Sequence, residues 1–532
     1  MQWLRVAGEA PLEGRLQLLT RTLLHEVADN LDDDRGGGDI SPSTYETAWV
    51  AMVRHPRYPN RLAFPESLSW LLKTQQSNGC WDGNFPYAVI PTMAALLALA
   101  KAPRQTKQIR MAQARAERYL QQKIPHWDIA TYDTPLFEFL TPLLTTELAM
   151  YGIQLPVPQL ELMAERTAQK LRRLPLDLLY AGKSNIIHGL EALTAVLNYE
   201  RLRAVQSRDG SYGNSPSATA AVLIHGPTWD EKAARWLRHL SSRAFGGMRG
   251  AMPASHPADA FETAWVMHLL LHGGVRFSGK TNATHHLLLH WLQSCLTPSG
   301  ASYARQIGLP CDVDDTAVII AVLNHCGMQT PLDALWLFEV DDHFVSYAGE
   351  RTSSTSANAH ALEALLSLRP PVTAPRDVIV RRKRAIAKII AYLLDQRASA
   401  GYWLDKWHIS PYYATLSCAL ALAQVAEPAT HQELRTTYTW LLDAQQADGS
   451  WGMAEATLEE SAYAVLAVRA LRLILPFHEA ERCRQAITRG QRFLQRLMAL
   501  RKQGEPLPAL WIDKSTYAPQ RVVRAATLAA LW

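Results

Sequence analysis

"WLLKTQQSNGCW", residues 70–81, and "WLLDAQQADGSW", residues 440–451, share the frame Trp-Leu-x3-Gln-x3-Gly-x-Trp from near opposite ends of the chain. Two weaker copies lie between them. "YLLDQRASAGYW" (392–403) keeps the opening aromatic, the Gly and the closing Trp, and "QSRDGSY" (206–212) keeps Gln-x3-Gly-x-aromatic. One supersecondary unit therefore recurs. In such a unit the opening aromatic and Leu pack at a helix end and Gly permits a positive-φ exit. The Gln amide bonds the freed backbone groups, and the last Trp covers them. A chance likeness of Trp-rich helix ends is the competing explanation, and the identical spacing weighs against it. A helix pair that recurs and closes on itself makes an α/α-barrel, and the separation of the two best copies implies two of them.

Helical patterning runs through the rest of the chain. "HGLEALTAVLNYERL", "SAYAVLAVRALRLIL" and "RVVRAATLAALW" place apolar residues at three- and four-residue spacing, and alternating β-branched runs are scarce. Short turns rich in Gly, Pro, Asp and Ser separate them. The fold class is all-α. At 532 residues, 48% hydrophobic and 19% charged, the chain can bury one very large core or two to three ordinary domains. A net charge of +5 with both signs dispersed gives no electrostatic footprint for nucleic acid, and the basic run "RRKRAIAK" (381–388) reads as a solvated helix face. Six cysteines without a CxxC pair or metal-ligand spacing fit a reduced cytoplasm better than secretion. No apolar run approaches the roughly 20 residues of a transmembrane segment, and the acidic N-terminal stretch is an amphipathic helix rather than a signal peptide.

The chemistry concentrates in "LPCDVDDTAVIIAVL" (309–323), where Asp312, Asp314 and Asp315 stand ahead of an apolar helix. Three carboxyls in an apolar surround cannot all ionise cheaply, because burial and like charge both raise a pKa. One proton is retained. A carboxylic acid kept neutral at pH 7 is what protonation of an unactivated alkene demands. Helix capping is the plainer explanation of an N-terminal Asp. It does not call for three of them with no basic neighbour.

The repeat frame resembles the QW motif of squalene and diterpene cyclases, and further stretches make the resemblance specific. "SPSTYETAWVAMV" (41–53) is similar to the SxYDTAWVA signature of class II diterpene cyclases, with Glu46 in place of the usual Asp. "DVDDTA" (312–317) matches their DxDD motif. "QKLRRLPLDLLYAGKSNIIHGLEAL" (169–193), "NSPSATAAVL" (214–223) and "LDKWHISPYYATLS" (404–417) resemble the KLxxIP…LLHSLEG, SPSxTA and DKWHxSxYY stretches. The matches follow family order from about residue 41 to "LWIDKSTYAP" near the end.

The resemblance implies a βγ didomain of two α/α-barrel domains, with β at 1–56 plus 271–532 and an inserted γ at 57–270. It implies Asp314 as general acid, with Asp312 and Asp315 tuning and restoring its proton. Asn358 in "STSANAHALEAL" falls where the family's acid-bonding Asn is expected, with His360 as the second candidate. The carbocation needs a dry aromatic cavity, and the candidates for its walls are Trp403, Trp407, Tyr412 and Tyr413. Lys170, with Lys183 nearby, corresponds to the diphosphate-binding lysine. Mg²⁺ is the implied cofactor, held by Asp128, Asp133 and Glu138 in "HWDIATYDTPLFEF" (126–139). Any of these lone Lys and Asp residues could equally be solvated surface. The DDxxD and NSE/DTE ionisation motifs are absent, so the diphosphate should stay on the product, leaving a class I synthase or a phosphatase to act downstream.

The expected reaction is cyclisation of geranylgeranyl diphosphate to a bicyclic diterpenyl diphosphate. Farnesyl diphosphate giving a drimane and squalene giving a triterpene are the alternatives of like chemistry, and an α/α-barrel binding or glycan-processing protein is the one of different class. Plant copalyl diphosphate synthases are similar at His188, which they pair with an Asn in a PNxxP stretch. Here "MPASHPADAFE" (252–262) has Ala254 at that place. A poorly held base would prolong the cation and favour a halimane- or clerodane-type product, unless His256 takes over and a labdane results.

Overall fold

Helices that are apolar on every face must be enclosed by others, whereas amphipathic ones can face water. Both kinds are present. From Val89 to Leu99 every residue is buried, while Lys107–Lys123, Glu231–Ser242 and Ala480–Leu500 each bury one stripe. The computed structural model describes residues 12–31, 37–83, 85–129, 134–245, 247–278, 282–306, 308–348, 350, 353–368, 375–474, 476, 479–501 and 505–532.

The enclosed helices form two closed rings. In the first, α1 (Thr44–Ala51) packs on α2 (Val89–Ala100) and α2 on α3 (Phe137–Ala149). A 3₁₀ segment, Asn185–Ala192, follows, then α4 (Pro216–His225), which returns to α1. In the second, α5 (Asp259–His272), α6 (Val313–His325), α7 (Thr355–Ser367), α8 (Pro411–Leu422), α9 (Leu458–Arg472) and α10 (Gln520–Leu531) pack in that order, and α10 closes on α5. The amphipathic helices pack outside, as Arg376–Asp395 does against α7 and Ala480–Leu500 against α9 and α10. Two two-stranded hairpins and one long-range two-stranded ladder are the only sheets among the described residues.

The same cap starts helices in both rings. Ser43, Ser215 and Ser354 accept the amide three residues on at the heads of α1, α4 and α7, and Asp312 does so at the head of α6. The repeat frame also behaves as one unit. The Trp81, Trp403 and Trp451 indole N–H groups donate to Leu71, Leu393 and Leu441 carbonyls at 2.8, 2.6 and 2.7 Å. Gln75 and Gln445 each donate to the carbonyl of the Gly four residues on and to that of an outer helix. Gly79 and Gly449 sit at φ +98° and +92°, where a Cβ would strike the Arg115 and Arg489 carbonyls.

The chain crosses between the two cores at a short ladder, Pro42–Ser43 against Met252–Pro253, so the way in and the way out lie side by side. Tyr45 to Val53 belong to the first ring's core and Ala254 to Leu270 to the second's. The expected breaks at 56/57 and 270/271 are therefore displaced by one helix at each end. The reason is that α1 and α5 are ring members, one on each side, rather than both flanking helices.

A buried cation ties the rings together. Lys514, on the loop of the hairpin Trp511–Ile512/Thr516–Tyr517, is 1% exposed. Its Nζ lies 2.8 Å from Glu46 Oε1, 3.1 Å from Glu191 Oε1, 2.7 Å from Ser215 Oγ, 2.6 Å from Ser217 Oγ and 2.9 Å from the His188 carbonyl. Burial works to lower its pKa, but Glu191 and Glu46 outweigh that and raise it. It stays charged.

Candidate active site

Between the rings lies a cavity of about 400 Å³, within the size range of small-molecule sites. The first ring's side contributes Thr134 to Leu136, Asn185, Ile186, His188 and Leu309. The second contributes Phe261, Trp265, Tyr303, Tyr347, Trp407, Trp511, Tyr517 and all three aspartates of the DVDD stretch.

The three aspartates have three different positions. Asp312 is the helix cap, its Oδ1 accepting the Asp315 amide at 2.8 Å, so the capping explanation is right for this residue. From Val313 to Leu323 every residue is buried except Asp314, whose side chain is 17% exposed where the helix meets the cavity. His360 Nδ1 is 2.6 Å from Asp314 Oδ1. Asp315 is buried beside Asp312. Burial pushes Asp312 up to about 7, hydrogen bonds from Asp315 only partly offsetting it. Burial, then the Asp312 charge, holds Asp315 well above the carboxylate range. The pair thus retains a proton near neutrality. Burial opposes the charged form of His360, yet Asp314 beside it raises its pKa overall, so the ring presents an N–H to Asp314.

Asn358 is not the acid's partner. Its Oδ1 accepts the Phe344 amide at 2.8 Å and its Nδ2 donates to the Phe344 and Ser354 carbonyls, which pins the 338–345 hairpin to α7. Of the expected aromatics, Trp407 lines the cavity. Trp403 is wholly buried under the end of helix Arg376–Asp395, and Tyr412 packs on Trp440 at 5.1 Å, so neither reaches it. Tyr413 stands behind the wall, its hydroxyl accepting the Trp265 N–H at 3.0 Å and its ring 4.6 Å from Trp511. Phe261, Trp265 and Trp511, which the motif reading missed, form the wall itself. The Phe261 ring lies 4.6 Å from Trp265, 5.0 Å from Tyr303 and 5.4 Å from Trp511.

On the cavity's polar side, His188 Nδ1 lies 2.7 Å from the Gly213 carbonyl and Nε2 3.1 Å from both Asp513 oxygens. A ring with an acceptor at each nitrogen donates from both, which makes it an imidazolium. Burial disfavours that form, but Asp513 raises the His188 pKa overall while its own is lowered despite burial. The His188 ring itself therefore has no lone pair to offer, and the carboxylate beside it does. Ala254 is buried in the second core, and His256 turns to Arg243, Nδ1 to Nη1 3.3 Å, with Ser255 rather than either facing the cavity. The Asn that would help His188 hold a water is thus replaced by a buried Ala, and Asp513 is the acceptor nearest to His188.

The diphosphate and metal candidates lie outside the lining. Lys170 is half exposed and ion-paired with Glu138, just after the cavity-lining Thr134–Leu136. Lys183 is exposed two residues ahead of Asn185. Asp128 is exposed, and Asp133 lies outside the described residues. Among the described residues, Asp128 and Glu138 belong to no convergent set of three ligand groups. Among the described residues the one such set is His268, His272 and Glu363, elsewhere in the second ring. A lysine not foreseen, Lys406, does line the cavity, 2.7 Å from Glu350 and 4.8 Å over the Trp407 ring.

Residues 374–501 match the squalene-hopene cyclase C-terminal domain. The copalyl diphosphate synthase of Streptomyces cyslabdanicus is 32% identical over 96% of this chain and 94% of its own length. The solved structure of ent-copalyl diphosphate synthase from Streptomyces platensis superposes with a TM-score of 0.78 at 30% identity, covering 97% of this chain and 99% of that one. The bifunctional premutilin synthase of Rhodocybe pseudopiperita is 29% identical over 98% of this chain, which spans 55% of that longer protein. The chain belongs to the squalene-hopene cyclase family, as a class II diterpene cyclase of the copalyl diphosphate synthase type. No described helix is long and apolar enough to cross a membrane.

Proposed function

We propose that the protein converts geranylgeranyl diphosphate to a bicyclic diterpenyl diphosphate by protonating its terminal alkene, with the diphosphate retained. The observation that carries this is Asp314, the one residue from Val313 to Leu323 that is not buried, lining the cavity with a hydrogen bond from His360 and sharing its wall with Trp265, Phe261 and Trp511. In this reading the two rings are α/α-barrels, γ running from about Ser43 to Pro253 and β forming the rest. Asp314 gives its free proton to the alkene carbon, and the His360 N–H stabilises the carboxylate left behind. Aromatic faces hold the cation while water is excluded. Rings A and B close, and the bicyclic cation loses a proton to Asp513, so that proton gain and loss balance and no atoms leave.

Prompt deprotonation favours an unshifted labdane skeleton. Asp513→Asn is accordingly expected to keep the first cyclisation step but to replace the single alkene with hydroxylated and rearranged diphosphates. Mass spectrometry and proton NMR of the dephosphorylated products would show this, and an unchanged product would remove Asp513 from the role.

Lys170 and Glu138 suit the diphosphate mouth. Mg²⁺ is usually held by one or two carboxylates with substrate phosphates completing the shell, and Glu138 can serve once a diphosphate takes Lys170. The ion would neutralise the diphosphate. The six free thiols support a reducing, cytoplasmic setting.

The deciding experiment incubates the protein with geranylgeranyl diphosphate, farnesyl diphosphate or squalene and Mg²⁺, then applies phosphatase and mass spectrometry. A cyclised C20 alcohol without released pyrophosphate is expected. A C15 or C30 product, or stoichiometric pyrophosphate, would overturn the reading.

The rate should also fall as pH rises through about 7. Ionisation of Asp312, raised to about 7, removes the proton that it would otherwise hold for return to the acid. The same raised pKa means that stability from this group is full below the unfolded value of about 3.9 and is lost as pH climbs toward about 7. Initial rates across about pH 6 to 9 test the first effect. A flat profile would contradict it.

A further inference from the structure

One turn beyond the acid, away from the cavity, three metal-ligating groups converge. Along α5, Trp265 faces the cavity, and His268 and His272 follow it on one side of the helix. Along α7, Glu363 follows His360 at the same level. Glu363 Oε2 is 2.8 Å from His268 Nε2, Oε1 is 2.7 Å from His272 Nε2, and the two Nε2 atoms are 3.2 Å apart. The Glu363 side chain is 1% exposed, His268 5% and His272 18%.

We propose that His268, His272 and Glu363 form a binding site for one divalent transition metal of the Zn²⁺ type, separate from the diphosphate's Mg²⁺. The spacing of the histidines, i and i+4, puts two imidazoles on one helix face, and the third donor comes from the neighbouring ring helix. Ligands at about 2.0–2.1 Å around a tetrahedral ion lie about 3.3 Å from one another, and the two Nε2 atoms are already nearly that far apart. Without an ion the arrangement is poor. Two ring nitrogens that both donate to Glu363 also turn their N–H groups toward each other, and among the described residues no Lys or Arg pairs with this buried carboxylate. An ion accepts both lone pairs and neutralises the charge.

Two imidazoles and a carboxylate select Zn²⁺ or its neighbours over Mg²⁺, which prefers oxygen. Of the three groups His272 is the most exposed, and it faces the outside of the ring. There His325, at the exposed C-terminal end of the acid's own helix, has its ring 6.4 Å away and Nδ1 bonded to the Ala321 carbonyl. The ion would tie α5, which carries the cavity wall, to α7, which carries the acid's partner, and would sit beneath a His268 ring that is 5.5 Å from His360.

The test uses full-length untagged protein, stripped with chelator and titrated with Co²⁺. Expected are about one Co²⁺ per chain with the intense visible bands of tetrahedral coordination, persistence in excess Mg²⁺, and a rise in the thermal midpoint with bound metal. Binding should weaken by at least about 100-fold in His272→Ala and Glu363→Gln. His272, at the rim, is the substitution least able to disturb folding, and circular dichroism checks that. Wild-type protein that takes up no Co²⁺, yields it to Mg²⁺, or binds it equally well as His272→Ala overturns the proposal. None of these readouts depends on cyclase turnover.

Discussion

Asp314→Asn is expected to stop cyclisation, with turnover down by at least about 10³-fold, or about 4 kcal/mol of transition-state stabilisation. Asn has nearly the same volume and keeps an oxygen for His360 Nδ1, so the helix, the cap and the cavity shape should survive. What it lacks is a transferable proton. Water cannot substitute, because water at neutral pH is far too weak to protonate an alkene. The neighbouring substitutions separate the roles. Asp312→Asn retains an N-cap acceptor for the Asp315 amide and removes an ionisable group, so it should lose less activity than Asp314→Asn and flatten the pH profile. Asn358→Ala leaves the Phe344 amide and carbonyl without partners and should lower stability by about 1–3 kcal/mol with little change in turnover per folded molecule. Single-turnover assays on protein whose folding is verified by circular dichroism make the comparison. Asp314→Asn turnover within about tenfold of wild type would end its assignment as the acid.

The confusion of Asn358 with His360 shows where reading the chain alone fails. A spacing of about 45 residues from the acid locates the right turn of the right helix, but residues two apart on a helix point to nearly opposite faces. Only the packed ring decides which one meets Asp314. The repeat frame and the three aspartates were legible because their physics is local, a helix exit in one case and a cap with like charges in the other. The cavity wall was not, since Phe261, Trp265 and Trp511 meet only when α10 closes on α5. Phe261 and Trp265 lie in "FETAWV" (261–266), a repeat of "YETAWV" (45–50), and Trp511 in "LWIDKSTYAP", but neither pattern says that the three meet. Trp403 was drawn in for its neighbourhood, although its place in the repeat frame already assigned it to a helix end. The missed acceptor, Asp513, faces His188 across nearly the whole chain, and a sequence search around either residue would not pair them. The displaced domain borders have the same origin. Core membership of α1 depends on its contacts with α2 and α4, which lie far along the chain.

Lys514→Met is expected to cost about 3–5 kcal/mol, the usual consequence of removing one partner from a buried ion pair. Met matches the length of the aliphatic stem but leaves Glu46 and Glu191, both buried, facing each other without a cation. The Ser215 and Ser217 hydroxyls and the His188 carbonyl lose a donor at the same time. The loss should appear as a lowered urea midpoint that both rings share, because the lysine comes from the second ring's hairpin and its partners come from the first. Glu46→Gln should cost less, since Lys514 keeps Glu191 as its counter-charge. Adding Glu46→Gln and Glu191→Gln to Lys514→Met removes every uncompensated charge and should restore much of the stability, because a buried ion pair is weak support relative to a neutral replacement of similar shape. The restored protein would still be a poor cyclase, since Asp513 and the His188 carbonyl are held by the same loop. A Lys514→Met protein within about 1 kcal/mol of wild type would mean that the cluster is hydrated and the rings are joined by apolar contact instead.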